Sequence, residues 1–472
     1  MMRWATLAIA MLALVACATP AFADSSARDI QSAVDGYQAG QTADASLVGG
    51  AGSAGYDSGF WIRGGDFTLK INLTLQARYE AFDWDVTEPV PGGDLSGFSL
   101  PRALVKFSGT APCAICYYIE LDFGHFGRDL YTAPPVESND PIPVKGPPNI
   151  PTLPNLGSTF YIPGLAGFDM QSNNFDNTRE AWIEWCACES FNLRMGQILT
   201  PNTRQLLTAP ELQQFVDISL ASAFTGHLMP GYTDRNRDHG IMVHGALGCK
   251  GEWSYMLAIT NGDGGDSIRN VVDERTDDNL ALSGRLNWAF LAPIYYEEGA
   301  LRQSTCNWYG EVGAWAHFYA DRVDKPHTLL GDHLTFGADL ALGYGGFSFT
   351  GAFTLSTVSD IGVVGSPEFD NTAILLQLGY LFPGTAWEIA ARFSSIKVDF
   401  NNGVAVGSLT EIAGAINYYL NGHGNKLSLD VTMLDESDLN LNFFDVYTGI
   451  QPIPGAPQDQ AILIRFQWQL AL

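Results

Sequence analysis

Beyond residue 23 the chain has no uninterrupted apolar run approaching the ~20 residues that a membrane-crossing helix requires. That excludes a helical membrane protein. Charge is also sparse: Asp, Glu, Lys and Arg make up 16% of the 472 residues, against about 25% in an ordinary soluble domain. Positive charge is scarcest, with 25 Lys and Arg against 51 Asp and Glu and a formal net charge of −26. So acidic a surface repels nucleic acid and anionic head groups, which argues against both as partners. No sequence pattern calls for a cofactor, and none is expected.

What the chain does contain is alternation. Near the end, Ile462, Ile464, Phe466, Trp468 and Leu470 fall on one face of an extended segment, and Leu463, Arg465, Gln467 and Gln469 fall on the other. Near the start, Phe67, Leu69, Ile71, Leu73 and Leu75 alternate in the same way with Thr68, Lys70, Asn72, Thr74 and Gln76. One face suits hydrocarbon and the other suits water. Apolar residues reach 46% while charged residues stay low, so the hydrophobicity is spread through strands. The fold expected is all-β, a transmembrane antiparallel up-and-down barrel of about sixteen strands over residues 66–472.

The first 23 residues read as an export signal, with Arg3, an apolar run from Ala5 to Ala16, and Ala21-Phe22-Ala23 before Asp24. Leu14-Val15-Ala16-Cys17 also matches a lipoprotein acylation site, and that alternative stays open. Removal of Arg3 with the signal takes the net charge to −27. Residues 24–65 are rich in Gly, Ala and Ser and read as a flexible periplasmic lead-in.

Connections between the expected strands alternate between tight and long. Gly343-Tyr344-Gly345-Gly346, Phe382-Pro383-Gly384-Thr385 and Asn421-Gly422-His423-Gly424 are tight turns, while 127–175 and 199–239 are long. Barrels of the outer membrane place short turns and both termini on the periplasmic side, which sets the expected orientation and localisation. Six cysteines follow the signal: Cys113, Cys116, Cys186, Cys188, Cys249 and Cys306. All are expected in short-turn connections, where an oxidising compartment lets them pair. Free thiols and a metal site built on Cys113-x-x-Cys116 remain open, although no second half with His at ligand spacing accompanies it, and no metal site is expected.

Several segments resemble a known family. They are Phe60-Trp61-Ile62-Arg63, Gln76-Ala77-Arg78-Tyr79, Arg102-Ala103-Leu104-Val105-Lys106-Phe107, Arg179-Glu180-Ala181-Trp182, Leu193-Arg194-Met195-Gly196-Gln197, Arg237-Asp238-His239-Gly240 and Asn261-Gly262-Asp263-Gly264. With the final strand, these resemble the phosphate-selective porins O and P, in the family's order and across nearly the whole barrel. The resemblance implies a sixteen-stranded, trimeric outer-membrane porin whose third long loop folds inward to narrow the lumen. Here that loop is 199–239, with a helical look from Glu211 to Phe224. A loop of about forty residues is itself unusual enough to suggest a function.

Strand parity turns the pattern into a lumen list. Lys70, Arg78, Arg102, Lys106, Arg194, Arg285, Arg392 and Arg465 are expected to line the pore, with Glu120, Asp122, Glu184 and Glu388 among the acids. Arg204, Arg235 and Arg237 are expected at the constriction, opposed by Glu211, Asp217 and Asp238. The two signs nearly balance, and the arginine ladder and lysine cluster that the resemblance implies for phosphate are not matched here. The expected function is passive diffusion of small ions and polar solutes with weak charge selectivity; a phosphate- or anion-selective porin is the alternative. Expected partners are outer-membrane lipid, small solutes and two further copies of the chain.

Three other readings of the residues carry less. The acidic stretch Asp263 to Asp278 could bind Ca²⁺ but lacks EF-hand spacing. Asp238-His239 places an acid beside a histidine without an evident nucleophile, so an enzyme is not expected. A secreted β-rich adhesin would explain the signal and strands but not the alternation of loop lengths.

Overall fold

In a computed structural model the chain is described over residues 53–56, 59–86, 94–124, 178–227, 237–248, 252–262, 280–292, 296–301, 308–324, 328–359, 369–400, 406–437 and 458–472. The export signal, the Pro-rich loop within 127–175, the Asp-rich stretch beyond Gly262, Arg235, Cys249 and Cys306 lie outside these residues.

Among the described residues, eighteen strands form one antiparallel sheet. A short hairpin, β1 (Ser53–Tyr56) and β2 (Phe60–Gly64), precedes the long strands β3 (Phe67–Val86) and β4 (Asp94–Ala111). Then come β5 (Ile115–Asp122), β6 (Thr178–Cys188), β7 (Phe191–Leu199), β8 (Arg237–Leu247), β9 (Trp253–Thr260) and β10 (Ala281–Trp288). Longer strands complete the chain: β11 (Tyr309–Asp324), β12 (Thr328–Tyr344), β13 (Phe347–Ser359), β14 (Phe369–Leu381), β15 (Trp387–Phe400), β16 (Val406–Asn421), β17 (Asn425–Ser437) and β18 (Gln458–Ala471). Each strand from β3 to β17 pairs with the next, and β18 returns to β3 from Ala471↔Thr74 to Gln458↔Val86, closing a sixteen-stranded barrel. Closure leaves the sixteen barrel strands without a free edge for another chain to extend.

The hairpin corrects the expected lead-in. Residues 53–64 include two strands, and β2 pairs with the first five residues of β3 from Phe60↔Ile71 to Gly64↔Phe67. It occupies the stretch of β3 that β18 does not reach.

Alternation dictates two faces. Leu257, Ile259, Leu282, Leu286, Phe336, Phe353, Ile374, Leu376, Leu378, Ile389, Phe393 and Ile412 point outward and are exposed. Their strand neighbours Thr335, Thr354, Gln377, Arg392 and Glu411 point inward. A continuous apolar belt of this extent is stable only against hydrocarbon. Aromatic side chains crowd the turn side, with Trp253 stacked on Trp288 at 5.5 Å, Trp308 on Tyr344 at 4.7 Å, and Trp387 against Tyr418 at 4.6 Å. Such rings favour the boundary between hydrocarbon and water.

Local chemistry sets the turns. Between β12 and β13, Gly345 and Gly346 both have positive φ, at 53° and 95°, the conformation of a two-residue turn that matches strand twist. Between β4 and β5 the same role falls to Cys113 and Ala114, with φ of 67° and 59° despite their Cβ atoms. Cys116 and Cys186 form a disulfide with Cα atoms 6.3 Å apart, and Cys113 and Cys188 are exposed free thiols. Only Cys113 of these four lies in a turn. Cys116, Cys186 and Cys188 belong to the turn-side ends of β5 and β6, where Cys116 pairs with Glu184 and Cys188 with Phe191.

Candidate pore lumen

A bulge in β4 prepares the lumen. Arg78 pairs with Ser99 and Gln76 with Arg102, so β4 carries one residue more than β3 across this step, at Leu100-Pro101. Proline lacks an N–H and is tolerated where the ladder is broken. The extra residue shifts parity by one, which brings Arg102 onto the same inward face as Arg78.

The loop after β7 enters the barrel. It contains a short helix α1 (Arg204–Leu207) capped by Thr203 Oγ1, a 3₁₀ turn at Pro210–Leu212, and a helix α2 (Leu220–His227). The helical span expected from Glu211 to Phe224 is corrected accordingly: Gln213 to Ser219 is irregular, and α2 begins at Leu220. Irregular backbone in a barrel needs outside partners, and the wall supplies them. Glu411 accepts the Leu220 N–H at 2.7 Å, Ser394 the Ala221 N–H at 3.2 Å, and Asp430 the Val216 N–H at 3.2 Å. Lys426 donates to the Gln213 carbonyl at 2.6 Å and Asn417 to that of Gln214 at 2.8 Å. At Gly379 the wall meets the end of the Gln214 side chain, in the space that a Cβ would take.

The loop's acids meet cations of the wall. Asp217 is bound by Arg78 at 2.7 Å, Arg102 at 3.0 Å and Arg465 at 3.0 Å, while Arg392 donates to its backbone carbonyl at 2.8 Å. Glu211 pairs with Lys106. Acid and base therefore touch, where the residue pattern had placed them on opposite sides of an aperture. Of the expected constriction cations, Arg235 lies outside the described residues and the other two meet different acids. Arg204 reaches Glu311 at 2.8 Å, and Arg237 in β8 pairs with Glu180 at 2.9 Å. Asp238 is wholly buried and accepts the His239 and Gly262 N–H groups at 2.8 and 2.6 Å, closing the β8–β9 end. Asp122 accepts the N–H groups of Ala103 and Gly124, at 3.2 and 2.8 Å.

Which inward residues meet solvent follows from the loop's course. It runs along the wall from β10 through β18 to β4, and side chains beneath it are sealed: Arg285 and Arg392 are 0% exposed, and Arg465 2%. Glu388 is equally buried, held by Asn417 and Tyr419. These four point inward as expected but do not border open space. Among the described residues, Arg194 on β7 is 19% and His244 on β8 21% exposed, both bound to Glu184 at 2.6 and 2.8 Å, while Glu120, Glu180, Gln197, Met242 and Ala258 of the same wall are buried. Tyr118 stacks on Trp182 at 5.4 Å, and the Arg194 guanidinium sits 3.8 Å from the Trp182 ring centre. Lys106, Glu120 and Arg179 form a linked ion group beside them, and Lys70 is half-buried on β3.

Residue patterns missed the second element in the lumen. The connection from β10 to β11 folds inward from the turn side, and Glu298 bonds the constriction loop. The signal available was its length, twenty residues from 289 to 308, where tight turns have about two to five.

No protein-family model matches the chain, and no curated protein matches it. Among solved structures it is similar to an anion-selective porin from Comamonas acidovorans, at 13% identity over 86% of this chain and 100% of that one, with a TM-score of 0.49. OmpF of Salmonella typhi, in complex with daunomycin, matches at 11% identity over 89% of this chain and 100% of its own, with a TM-score of 0.48. The outer membrane channel DcaP of Acinetobacter baumannii matches at 9% identity over 86% of this chain and 98% of its own, with a TM-score of 0.46. The functional reading rests on this chain's own geometry.

Proposed function

We propose that this protein is an outer-membrane porin, a water-filled passage for passive diffusion of small ions and polar solutes. The observation that carries the reading is a one-sided lumen among the described residues: a closed barrel with an apolar outer belt, whose own loop lies along β10 to β4 while Arg194 and His244 on β7 and β8 keep partial exposure. The passage is crescent-shaped in this reading, bounded by Tyr118, Trp182, Glu184, Arg194 and His244 on one side and by Glu211 and Asp217 on the other.

Weak selectivity follows from pairing. Arg78, Arg102 and Arg465 are matched by Asp217, Glu80 and Asp430 together, and Lys106 by Glu211, so little uncompensated potential of either sign faces the passage. The same pairing argues against the phosphate- or anion-selective alternative. Turns on the periplasmic side, both termini there, and a homotrimeric assembly complete the proposal. Chemical cross-linking in detergent tests the trimer.

Reconstitution in a planar bilayer under a salt gradient tests the function. Small reversal potentials with stable conductance are expected. Strong anion preference blocked by phosphate would favour the alternative, and no conductance from folded barrels would favour an adhesin or other surface structure.

A further inference from the structure

The connection from β10 to β11 places a carboxylate where three donors converge. Glu298 is 5% exposed inside the lumen, with Ala300 and Leu301 packed behind it against Leu381 and Tyr419. Its Oε1 accepts Gln205 Nε2 at 2.7 Å; its Oε2 accepts the Gln214 backbone N–H at 2.8 Å and Gln377 Nε2 at 2.9 Å. Its own N–H donates to the Leu212 carbonyl at 2.9 Å. Gln205 and Gln214 flank the 3₁₀ turn of the constriction loop, and Gln377 belongs to β14. A single side chain from the turn side therefore ties both arms of the loop's bend to the wall. Among the protein side chains, an ionised carboxylate is well suited to this, since it accepts several hydrogen bonds and donates none. Such charge-assisted bonds are roughly twice as strong as neutral ones.

We propose that Glu298 is the positioning residue of the constriction: it fixes the loop from Gln205 to Gln214 against the β14 wall and so sets the width of the passage along β5 to β9. The inference rests on the porin reading for its meaning but not for its test. Glu298 does not border the passage, and a labelling readout on the loop separates its positioning role from any effect of its charge on current. Removing Glu298 takes the carboxylate acceptor from three buried N–H donors, which loosens the bend from Gln205 to Gln214 and, through Gln205 Oε1 on the Ser219 N–H, the start of α2, while the bonds of Val216 and Leu220 to the wall remain.

The test uses the full chain carrying Ala221→Cys, at a site 4% exposed on α2, compared with the same chain carrying E298A or E298Q. Total thiol loss would mix the new site with the native cysteines. A charged thiol reagent is therefore applied, and labelling of the peptide that contains position 221 is followed by mass. Resistance of the folded barrel to unfolding by detergent serves as the folding control. E298A is expected to speed labelling at least tenfold and to replace one quiet conductance level with several fluctuating ones. E298Q keeps the volume but turns an amide donor toward the same donors, and is expected to fall between; it carries the comparison if E298A does not fold. Labelling within twofold of the parent in a folded variant would overturn the proposal. Should the parent conduct nothing, the porin reading fails while the labelling result still judges Glu298.

Discussion

Asp217 and Arg78 are 139 residues apart in sequence and joined by two hydrogen bonds, at 2.7 and 3.2 Å, from one guanidinium to one carboxylate. The contact joins the constriction loop to the first long strand. Around it, Arg78 keeps Gln467 and Glu80, Arg102 keeps Gln76, and Arg465 keeps Asp430. The arginines are thus held in place by the wall, and Asp217 arrives as an added charge.

Asp217→Asn conserves shape and removes that charge. The expected outcome is a severalfold rise in the anion-to-cation permeability ratio, read as a shift of the reversal potential. The shift should shrink toward zero at about 1 M salt, where the screening length falls to about 3 Å. An unchanged reversal potential at low salt would show that the arginine group does not act on the passage.

Arg194 and Arg392 point inward alike but differ in what covers them. Arg194→Gln should lower anion preference at little cost to stability, because this side chain meets solvent. Arg392→Gln leaves Glu411 buried without its guanidinium and should cost about 3–5 kcal/mol, seen as a lower unfolding temperature. Equal effects of the two variants on both readouts would contradict the one-sided lumen.

The Cys116–Cys186 bond spans a sequence separation of 70. In the chain-entropy account, closing a loop of that size stabilises by about 4 kcal/mol. Reduction, or Cys186→Ala, is expected to lower the temperature at which the barrel unfolds in detergent. Insensitivity of unfolding to reductant would remove this cross-link from the account of stability.

Ala114 adopts a left-handed conformation that disfavours a Cβ. Ala114→Gly should therefore stabilise the β4–β5 turn by about 1 kcal/mol. A drop in unfolding temperature would show that the turn draws its conformation from elsewhere.

All sixteen barrel strands were legible because each must present one face to hydrocarbon and one to water, and a period of two survives in every segment. The β1–β2 hairpin was not, since Ser53 to Tyr56 carries no such period and is defined by its partner. Parity revealed that Arg285, Glu388, Arg392 and Arg465 face inward. It could not reveal what lies over them, because the loop that covers them is brought there by closure of the barrel. The constriction was half legible for the same reason: Glu211 and Asp217 were identified, but their cations come from β3, β4 and β18, far along the chain. Glu298 was hidden in a connection taken for a turn.

The hydrogen bonds that shape the loop also fix an order of events. Val216, Leu220 and Ala221 find their acceptors on Asp430, Glu411 and Ser394, 214, 191 and 173 residues further along. None of those partners is in place until the last strands have joined the sheet, so the loop cannot acquire its shape as it emerges. The loop is therefore shaped by the whole barrel, and a chain that lacked its later strands would lack the acceptors that hold the loop.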